Sequence, residues 1–297
     1  MGNQQLKWFY LIALALLWGS SFILIKRGLV GLSPLQLGAF RVALCAVILM
    51  LVGFNKIKEI KASQWKWIGI SGFIGSLFPT FLFAYAETEI DSAVAAILNS
   101  TVPLLALIVG LFFFGSVFIK KQFVGVLVGL FGSIALILAG ASLNPEQNYW
   151  YGILPIIASL MYAFNANIIK SYLDGISALG IATGSFVILF FPSLGVLFFT
   201  GFFEEAFLAQ EDVQISMIYV GVLAILGTAV AKIIFNRLIQ LSDPVFSTSV
   251  TYLIPIIALF WGMLDGEEFS LLQLGAGLII LVGVYLANRK KRVKAKA

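Results

Sequence analysis

Long apolar runs, separated by short polar links, make up almost the whole chain. A helix needs about 20 mostly apolar residues to cross the hydrocarbon core of a bilayer. The runs do not alternate in polarity, as the roughly ten-residue strands of a membrane barrel do. The pattern therefore predicts an all-α integral membrane protein with ten transmembrane helices. The predicted helices cover 8–30, 34–54, 65–86, 92–114, 121–141, 150–171, 178–203, 215–240, 244–263 and 270–288.

Charged residues in the links predict how the chain is oriented. Alternate links and the two ends carry Lys7, Lys56, Lys58, Lys61, Lys66, Lys120, Lys121, Lys170, Arg237 and the tail from Arg289 to Lys296. The other links hold most of the acidic residues, with Lys26 and Arg27 as the basic exceptions. Cytoplasmic loops carry an excess of Lys and Arg, so both termini are expected in the cytoplasm. The basic tail is interpreted as a topology anchor, not as a lipid or nucleic-acid site.

Composition narrows the classes of function. Hydrophobic residues make up 61% of the chain and charged residues 11%, with a mean hydropathy of +1.03, which excludes an ordinary soluble domain. Cys45 is the single cysteine and there is no histidine. No disulfide can form within one chain, and the commonest metal ligand and general base is missing. An intramembrane enzyme, a metal site and a cofactor are therefore not expected.

Two halves of the chain repeat each other. Six positions recur 152 residues later: Gly69, Gly75, Phe83, Asp91, Pro103 and Gly110 match Gly221, Gly227, Phe235, Asp243, Pro255 and Gly262. Near the start of each half the spacing is 144, and Trp18, Lys26, Gly31 and Ser33 match Tyr162, Lys170, Gly175 and Ser177. Because each half has an odd number of predicted helices, the second half must run through the membrane in the opposite sense. We predict two inverted five-helix repeats, 1–145 and 146–297, around a central cavity.

The matched aspartates each open an apolar segment that has a proline past its middle. Asp91 and Asp243 are interpreted as helix N-caps. A proline inside a helix frees the carbonyl four residues earlier, here that of Asn99 or Thr251. Unpaired backbone at membrane depth survives where it is buried in protein or lines a wet cavity. These two segments are therefore predicted to wall the cavity.

Two cations are predicted at membrane depth. Arg41 follows Pro34 by seven residues, about 10 Å into the membrane, and Lys232 precedes Gln240 by eight, roughly 12 Å in. Intramembrane charges are costly and typical of functional sites, although structural pairing with helix-end carbonyls competes for Arg41. Trp18 and Ser21 share one helix face, which suits either a cavity wall or interhelical hydrogen bonding.

The predicted cavity lining combines these cations with amides, hydroxyls and aromatic rings. It consists of Trp18, Ser21, Arg41, Asn99, Thr101, Tyr162, Asn165, Lys232, Asn236, Thr251 and Tyr252. Hinges are predicted at Pro79, Pro103, Pro192 and Pro255. No Asp or Glu lies in the middle of a predicted helix, so a ligand with a carboxylate or other anionic group beside an apolar part is favoured over a polyvalent cation.

Several of these motifs resemble the drug/metabolite transporter superfamily, EamA type. They are Trp18 to Phe22, Phe40-Arg41, the Asp-led helices with Pro103 and Pro255, and Gly266-Glu267 ahead of Gln273. The resemblance covers nearly the whole chain in two copies. It implies a ten-helix carrier of the bacterial inner membrane, with a cavity between predicted helices 1–4 and 6–9 and with helices 5 and 10 at the periphery. The first half has Gly115-Ser116 where the second has Gly266-Glu267, which puts a symmetric role of the glutamate in doubt.

We therefore expect an alternating-access transporter of the plasma membrane that exports small metabolites such as amino acids or related amphipathic or anionic compounds. A multidrug or other organic-solute exporter and a solute channel are the alternatives. The expected partners are a small-molecule substrate and the lipid bilayer, without nucleic acid and without a cofactor. A monomer and a homodimer both fit the sequence.

Overall fold

The computed structural model describes residues 3–90, 92–140, 148–264 and 271–288. Within these residues the chain folds into helices joined by turns, and no strand occurs. The first half contains α1 (Asn3–Gly19), α2 (Ser21–Gly28), α3 (Pro34–Gly53), α4 (Trp65–Gly72), α5 (Phe78–Ala86), α6 (Ser92–Asn99), α7 (Val102–Phe113) and α8 (Lys120–Gly140). The second half contains α9 (Ile153–Tyr172), α10 (Ala178–Phe199), α11 (Glu205–Leu208), α12 (Glu211–Val222), α13 (Ala231–Leu241), α14 (Pro244–Thr248), α15 (Ile254–Leu264) and α16 (Leu271–Asn288).

The described helices coincide with the apolar runs of the sequence. Six continuous helical stretches are long and apolar enough to cross a membrane: Asn3–Gly28, Pro34–Glu59, Ala62–Ala86, Trp150–Tyr172, Ala178–Phe199 and Glu211–Leu241. Shorter apolar helices cover Val102–Phe113, Pro244–Ile257 and Gly275–Leu286. The all-helical prediction is confirmed, whereas the number of ten spans stays a prediction. The boundary between the two predicted repeats falls in 141–147, outside the described residues.

Helix starts follow from local capping. Ser33 precedes Pro34 and forms a capping box with Gln36, which satisfies free N–H groups of the first turn of α3. Asp243 accepts a 2.9 Å hydrogen bond from the backbone N–H of Phe246 and so caps α14, as predicted. Its repeat partner Asp91 lies outside the described residues.

Besides the single residue Ser20 between α1 and α2, four interruptions divide the described helices near their middles. Two are π-helical turns, Phe73–Leu77 between α4 and α5 and Leu223–Val230 between α12 and α13. Ser100 and Thr101 separate α6 from α7, and a 3-10 turn at Ser249–Tyr252 separates α14 from α15. Such interruptions expose backbone groups that a regular helix would pair internally.

The prolines lie beside these interruptions. Pro79, Pro103 and Pro255 are each the second residue of a helix, α5, α7 and α15, where the missing N–H costs little. Each of these prolines therefore lies at a change of helix type or at a break, and not in the middle of a regular α-helix. Pro192 alone of the four predicted hinges lies inside a helix, α10. Their hinge roles stay predictions.

Packing is dense at the end of the bundle where α1 begins and α13 ends. A cluster of buried apolar residues there includes Leu11, Leu14, Leu238 and Phe246, and it joins α1 to α9, α13 and α14. Farther out, α16 packs along α8 so closely that a Cβ on Gly283 would lie 2.3 Å from the backbone nitrogen of Gly129. The glycine-rich faces of these two helices therefore serve helix packing.

Candidate functional site

A cavity lies among the interrupted helices. Its volume is about 890 Å³ when the space at its mouth is included. The predicted residues that line it are Trp18, Ser21, Arg41, Asn99, Tyr162, Lys232 and Thr251. Sequence reasoning missed the apolar wall of Phe22, Ile25, Phe83, Phe235 and Ile254 and the hydroxyls of Ser76, Thr80, Thr228 and Thr248.

Arg41 reaches the cavity from α3. Its Nε donates a 2.7 Å hydrogen bond to Oγ1 of Thr228, and this is the hydrogen bond that the guanidinium makes within the described residues. No carboxylate of the described residues lies within salt-bridge distance of it, but the carboxylate of Glu87 is near enough to interact with the guanidinium electrostatically. A guanidinium carries five N–H donors in a planar fork, so its two Nη groups remain available to a ligand.

Lys232 reaches the cavity from α13 and is more deeply buried, with 7% of its surface exposed. Its Nζ donates to the carbonyl of Gly75, which lies in the π-helical turn between α4 and α5. An ammonium has three donors, and within the described residues this is the one that is used. The second cation is therefore also only partly satisfied.

The two π-helical turns need glycine at matched positions. A Cβ on Gly75 would lie 2.4 Å from Cγ of Asn165, and a Cβ on Gly227 would lie 2.5 Å from Oγ of Ser21. Real Cβ atoms essentially never come this close to another heavy atom. The carbonyl of Gly227 accepts a 3.1 Å hydrogen bond from Nε1 of Trp18. Both turns are thus held against side chains from distant parts of the chain.

Aromatic rings form the apolar walls. Trp18 packs on Phe235 with centroids 5.1 Å apart, and Tyr162 stacks on Phe83 at 6.2 Å with an interplanar angle of 17°. Phe22 meets Phe83 edge-on, also at 6.2 Å. Such pairs give a rigid apolar surface at little cost in conformational entropy.

The break between α6 and α7 faces the 3-10 turn before α15. Oγ of Ser100 shares its one hydrogen between the carbonyl of Ala96, at 3.1 Å, and the carbonyl of Thr251, at 3.2 Å. The carbonyl of Thr251 is the one that Pro255 leaves without a helical partner. Oδ1 of Asn99 is buried and has no hydrogen-bond partner within the described residues. Asn99 therefore brings an unpaired acceptor to the lining that also contains the two cations.

Four predicted residues are not among the lining residues. Thr101 bonds back to the carbonyl of Leu98, and Nδ2 of Asn236 donates to the carbonyl of Ala178. The bond of Thr101 stays within one helical turn, and the bond of Asn236 joins α13 to the start of α10.

The other two are buried behind the wall. Oδ1 of Asn165 accepts a 2.6 Å hydrogen bond from Ser71, and Asn165 lies behind Gly75. The hydroxyl of Tyr252 donates to the carbonyl of Val126 on α8, and its side chain is fully buried. Because Tyr252 lies in the 3-10 turn, its side chain points toward α8, a direction that the spacing of a regular α-helix does not predict.

The described lining thus offers donors, acceptors and apolar rings without an acid or a nucleophile–base pair. Such a set is typical of a site that binds a small solute. A helical bundle with membrane-length helices and a buried polar cavity between interrupted helices defines the class of membrane transporters.

Within that class, the chain belongs to the EamA-like transporter family, whose model matches residues 6–138 and again 149–289. The resemblance found in the sequence is therefore confirmed, and the transporter function with it. Glu267 lies outside the described residues.

Named relatives agree with this assignment, and one solved structure shares the fold. The inner membrane transporter YedA of Escherichia coli is 28% identical over 96% of this chain and 92% of its own length. The transporter YdfC of Bacillus subtilis is 26% identical over 90% and 86%. A probable terminal-alkyne amino-acid exporter of Streptantibioticus cattleyicolor is 22% identical over 94% and 92%. One crystal structure superimposes with a TM-score of 0.72 at 17% identity, covering 94% of this chain and 95% of the other, which shows the same fold.

Proposed function

We propose that this protein is an alternating-access exporter of small metabolites that carry a carboxylate beside an apolar part, such as amino acids. In this proposal residues 1–145 and 146–297 are inverted five-helix repeats, with both termini in the cytoplasm. The two repeats rock about the cavity and expose it to one side of the membrane and then to the other.

Matched contacts support the inverted repeat. The two π-helical turns occupy corresponding positions, because Gly75 and Gly227 are 152 residues apart. Each glycine packs against the matched polar residue of the other repeat, Asn165 or Ser21. The aromatic pairs Trp18–Phe235 and Tyr162–Phe83 also correspond, with the repeats exchanged. The family model, which matches each half separately, is consistent with this arrangement.

The bonds between the proposed repeats suit a rocking motion. Trp18 to Gly227, Lys232 to Gly75 and Ser100 to Thr251 all join a side chain of one half to a carbonyl of the other. A net contribution of about 0.5–1.5 kcal/mol is typical of a hydrogen bond between neutral groups, and about 1.5–3 kcal/mol of a bond to a charged group. Of the three, the bond from the ammonium of Lys232 is the one for which an anionic ligand competes.

The observation that carries the substrate class is the pair of partly satisfied cations beside aromatic walls. Removing a cation from water costs several kcal/mol unless it is paired, so a carboxylate that enters between Arg41 and Lys232 gains strongly. Asn99 and its neighbouring carbonyls can accept from an ammonium group, while Phe22 and Phe83 contact an apolar side chain. One relative is named as a probable amino-acid exporter, which supports the same class.

A binding and transport experiment tests the proposal. Purified protein is heated with L-phenylalanine, L-leucine, their carboxamides and cationic drugs, and a ligand of the folded state raises the unfolding temperature. We expect stabilisation by the acids and little by the amides. Stabilisation by the cationic drugs alone would contradict the substrate class and favour a multidrug exporter.

Proteoliposomes loaded with unlabelled L-phenylalanine then test the mechanism. A carrier takes up labelled phenylalanine transiently above its equilibrium level, by exchange, and this uptake saturates. A channel equilibrates the label without overshoot, and that result would overturn alternating access.

A further inference from the structure

Thr228 lines the cavity and contacts Arg41 through a hydrogen bond whose role goes beyond the charge of Arg41. It lies in the π-helical turn of the second half, directly after Gly227, and is 7% exposed. Its Oγ1 accepts from Nε of Arg41 at 2.7 Å and donates to the carbonyl of Leu223 at 3.1 Å. The three groups form one directed chain, from guanidinium through hydroxyl to carbonyl.

The π-helical turn makes this chain possible. In a regular α-helix a threonine hydroxyl bonds to a carbonyl three or four residues earlier. Thr228 bonds to the fifth, and its hydroxyl hydrogen is thereby committed to Leu223. The lone pairs of Oγ1 are left for a donor, and Nε of Arg41 is the donor that it receives.

The turn that carries Thr228 is itself fixed. Trp18 donates to the carbonyl of the preceding residue, Gly227, and Ser21 packs where a side chain of Gly227 would lie. Arg41, by contrast, is a long side chain with several rotatable bonds. Binding Nε fixes the plane of its guanidinium, whereas the two Nη groups have no partner within the described residues.

We infer that Thr228 is the positioning residue of the proposed anion site, holding the guanidinium of Arg41 by Nε so that both Nη groups face a ligand carboxylate. A carboxylate bound by two parallel N–H groups requires a fixed plane, so the hydroxyl acts on affinity through Arg41. This inference rests on the proposed function for its effect on binding, but the geometry of the hydrogen bond can be tested without any ligand.

The ligand-free test measures hydrogen exchange at Nε of Arg41, in protein labelled with nitrogen-15 at arginine and held in nanodiscs. The signal is assigned by its loss in Arg41→Lys. We expect slow exchange in the original protein and in Thr228→Ser, which keeps the hydroxyl, and exchange at least about tenfold faster in Thr228→Val, which has the same shape without it. Ser76→Ala, at the matched position of the first half, leaves this exchange unchanged. Equal exchange in Thr228→Val and the original protein would overturn the inference.

The binding test measures the affinity of L-phenylalanine and of its carboxamide by calorimetry. Thr228→Val should weaken phenylalanine about tenfold, with Thr228→Ser close to the original protein and with the carboxamide affected much less. In an Arg41→Gln background, Thr228→Val should add nothing, because the hydroxyl then has no guanidinium to hold. An equal additional loss in that background would contradict positioning through Arg41.

The exchange measurement and the binding measurement distinguish failure of the proposed substrate class from failure of the positioning role of Thr228. If the original protein binds neither phenylalanine nor its carboxamide, the proposed substrate class fails, and the exchange measurement still decides whether Thr228 holds the guanidinium of Arg41. If exchange accelerates in Thr228→Val while phenylalanine binds unchanged, the substrate class stands and the positioning role is refuted.

Discussion

The two walls of the cavity share a backbone design but differ in charge. On each wall a glycine in a π-helical turn packs against a polar side chain, Asn165 on Gly75 and Ser21 on Gly227, and an aromatic pair lies nearby. The cations break this correspondence, because Lys232 matches Thr80 in the first half. Arg41 breaks the correspondence too, because it matches Ser185 at the spacing of 144 residues.

This difference separates what the fold needs from what recognition needs. Close backbone approach at the turns is a requirement of geometry, and it applies to both halves. A charge inside the membrane is costly at either position unless a partner compensates it, and we expect a ligand of defined polarity to be that partner. The asymmetric residues are therefore the ones that we expect to select the substrate, and the symmetric ones to hold the bundle.

The largest expected effect is the loss of Arg41. Arg41→Gln should weaken binding of L-phenylalanine on the order of 100-fold, because a hydrogen bond to a charged group contributes about 1.5–3 kcal/mol. Ser185→Ala, at the matched position, removes a hydroxyl that donates to the carbonyl of Ile68 outside the cavity. It should leave the affinity within about twofold, since the ligand does not meet it.

Calorimetry on both purified variants measures this contrast. Similar losses in Arg41→Gln and Ser185→Ala, at equal thermal stability, would mean that the affinity does not depend on the asymmetric charge.

The next effect concerns the matched glycines. Gly75→Ala and Gly227→Ala should each lower the free energy of unfolding by about 1–3 kcal/mol, because the new methyl group has no space. We expect the larger loss at Gly75, since three atoms of Asn165 would lie within 2.6 Å of the new methyl group, whereas at Gly227 only Oγ of Ser21 would lie that close. Thermal unfolding in detergent measures both.

Removing the obstructing side chain provides the control. Gly75→Ala should cost much less in an Asn165→Ala background, and Gly227→Ala much less in a Ser21→Ala background. If the costs simply add, the clash at the turn is not the cause of the destabilisation.

Much of this organisation could be predicted from the sequence, but not all of it. Apolar runs and the repeated Asp, Pro and Gly positions predicted the helices and the two segments that meet at Ser100 and Thr251. The direction of Tyr252 could not be predicted, because a 3-10 turn changes the angle between successive side chains. Thr228 was missed for a related reason, since nothing in the run from 215 to 240 marks a π-helical turn except Gly227.

The third effect separates stability from recognition at Lys232. Lys232→Met should raise the free energy of unfolding by about 1 kcal/mol, because desolvating an ammonium costs more than leaving the carbonyl of Gly75 unpaired. The same variant should bind L-phenylalanine about tenfold more weakly, since a partner of the carboxylate is lost. Thr80→Val, the matched change, should alter stability by less than about 0.5 kcal/mol.

Unfolding and binding are measured on the same preparations. A Lys232→Met variant that is less stable than the original protein would show that the ammonium serves the fold, and the division between symmetric and asymmetric residues would fail there.

The smallest effect compares the two matched aromatic residues, Trp18 and Tyr162. Trp18→Phe removes the 3.1 Å hydrogen bond to the carbonyl of Gly227, and should cost about 1 kcal/mol of stability. The hydroxyl of Tyr162 makes no hydrogen bond within the described residues, so Tyr162→Phe should cost only a few tenths of that amount while the stack on Phe83 is kept. Equal unfolding temperatures for the two variants would contradict this difference. A larger loss for Trp18→Phe would show that the indole N–H stabilises the turn at Gly227. The corresponding carbonyl, that of Gly75, is held by the ammonium of Lys232 instead. Of these two contacts, only the one from Lys232 is open to competition from an anion. Ligand entry would therefore loosen the π-helical turn at Gly75 and leave the one at Gly227 in place.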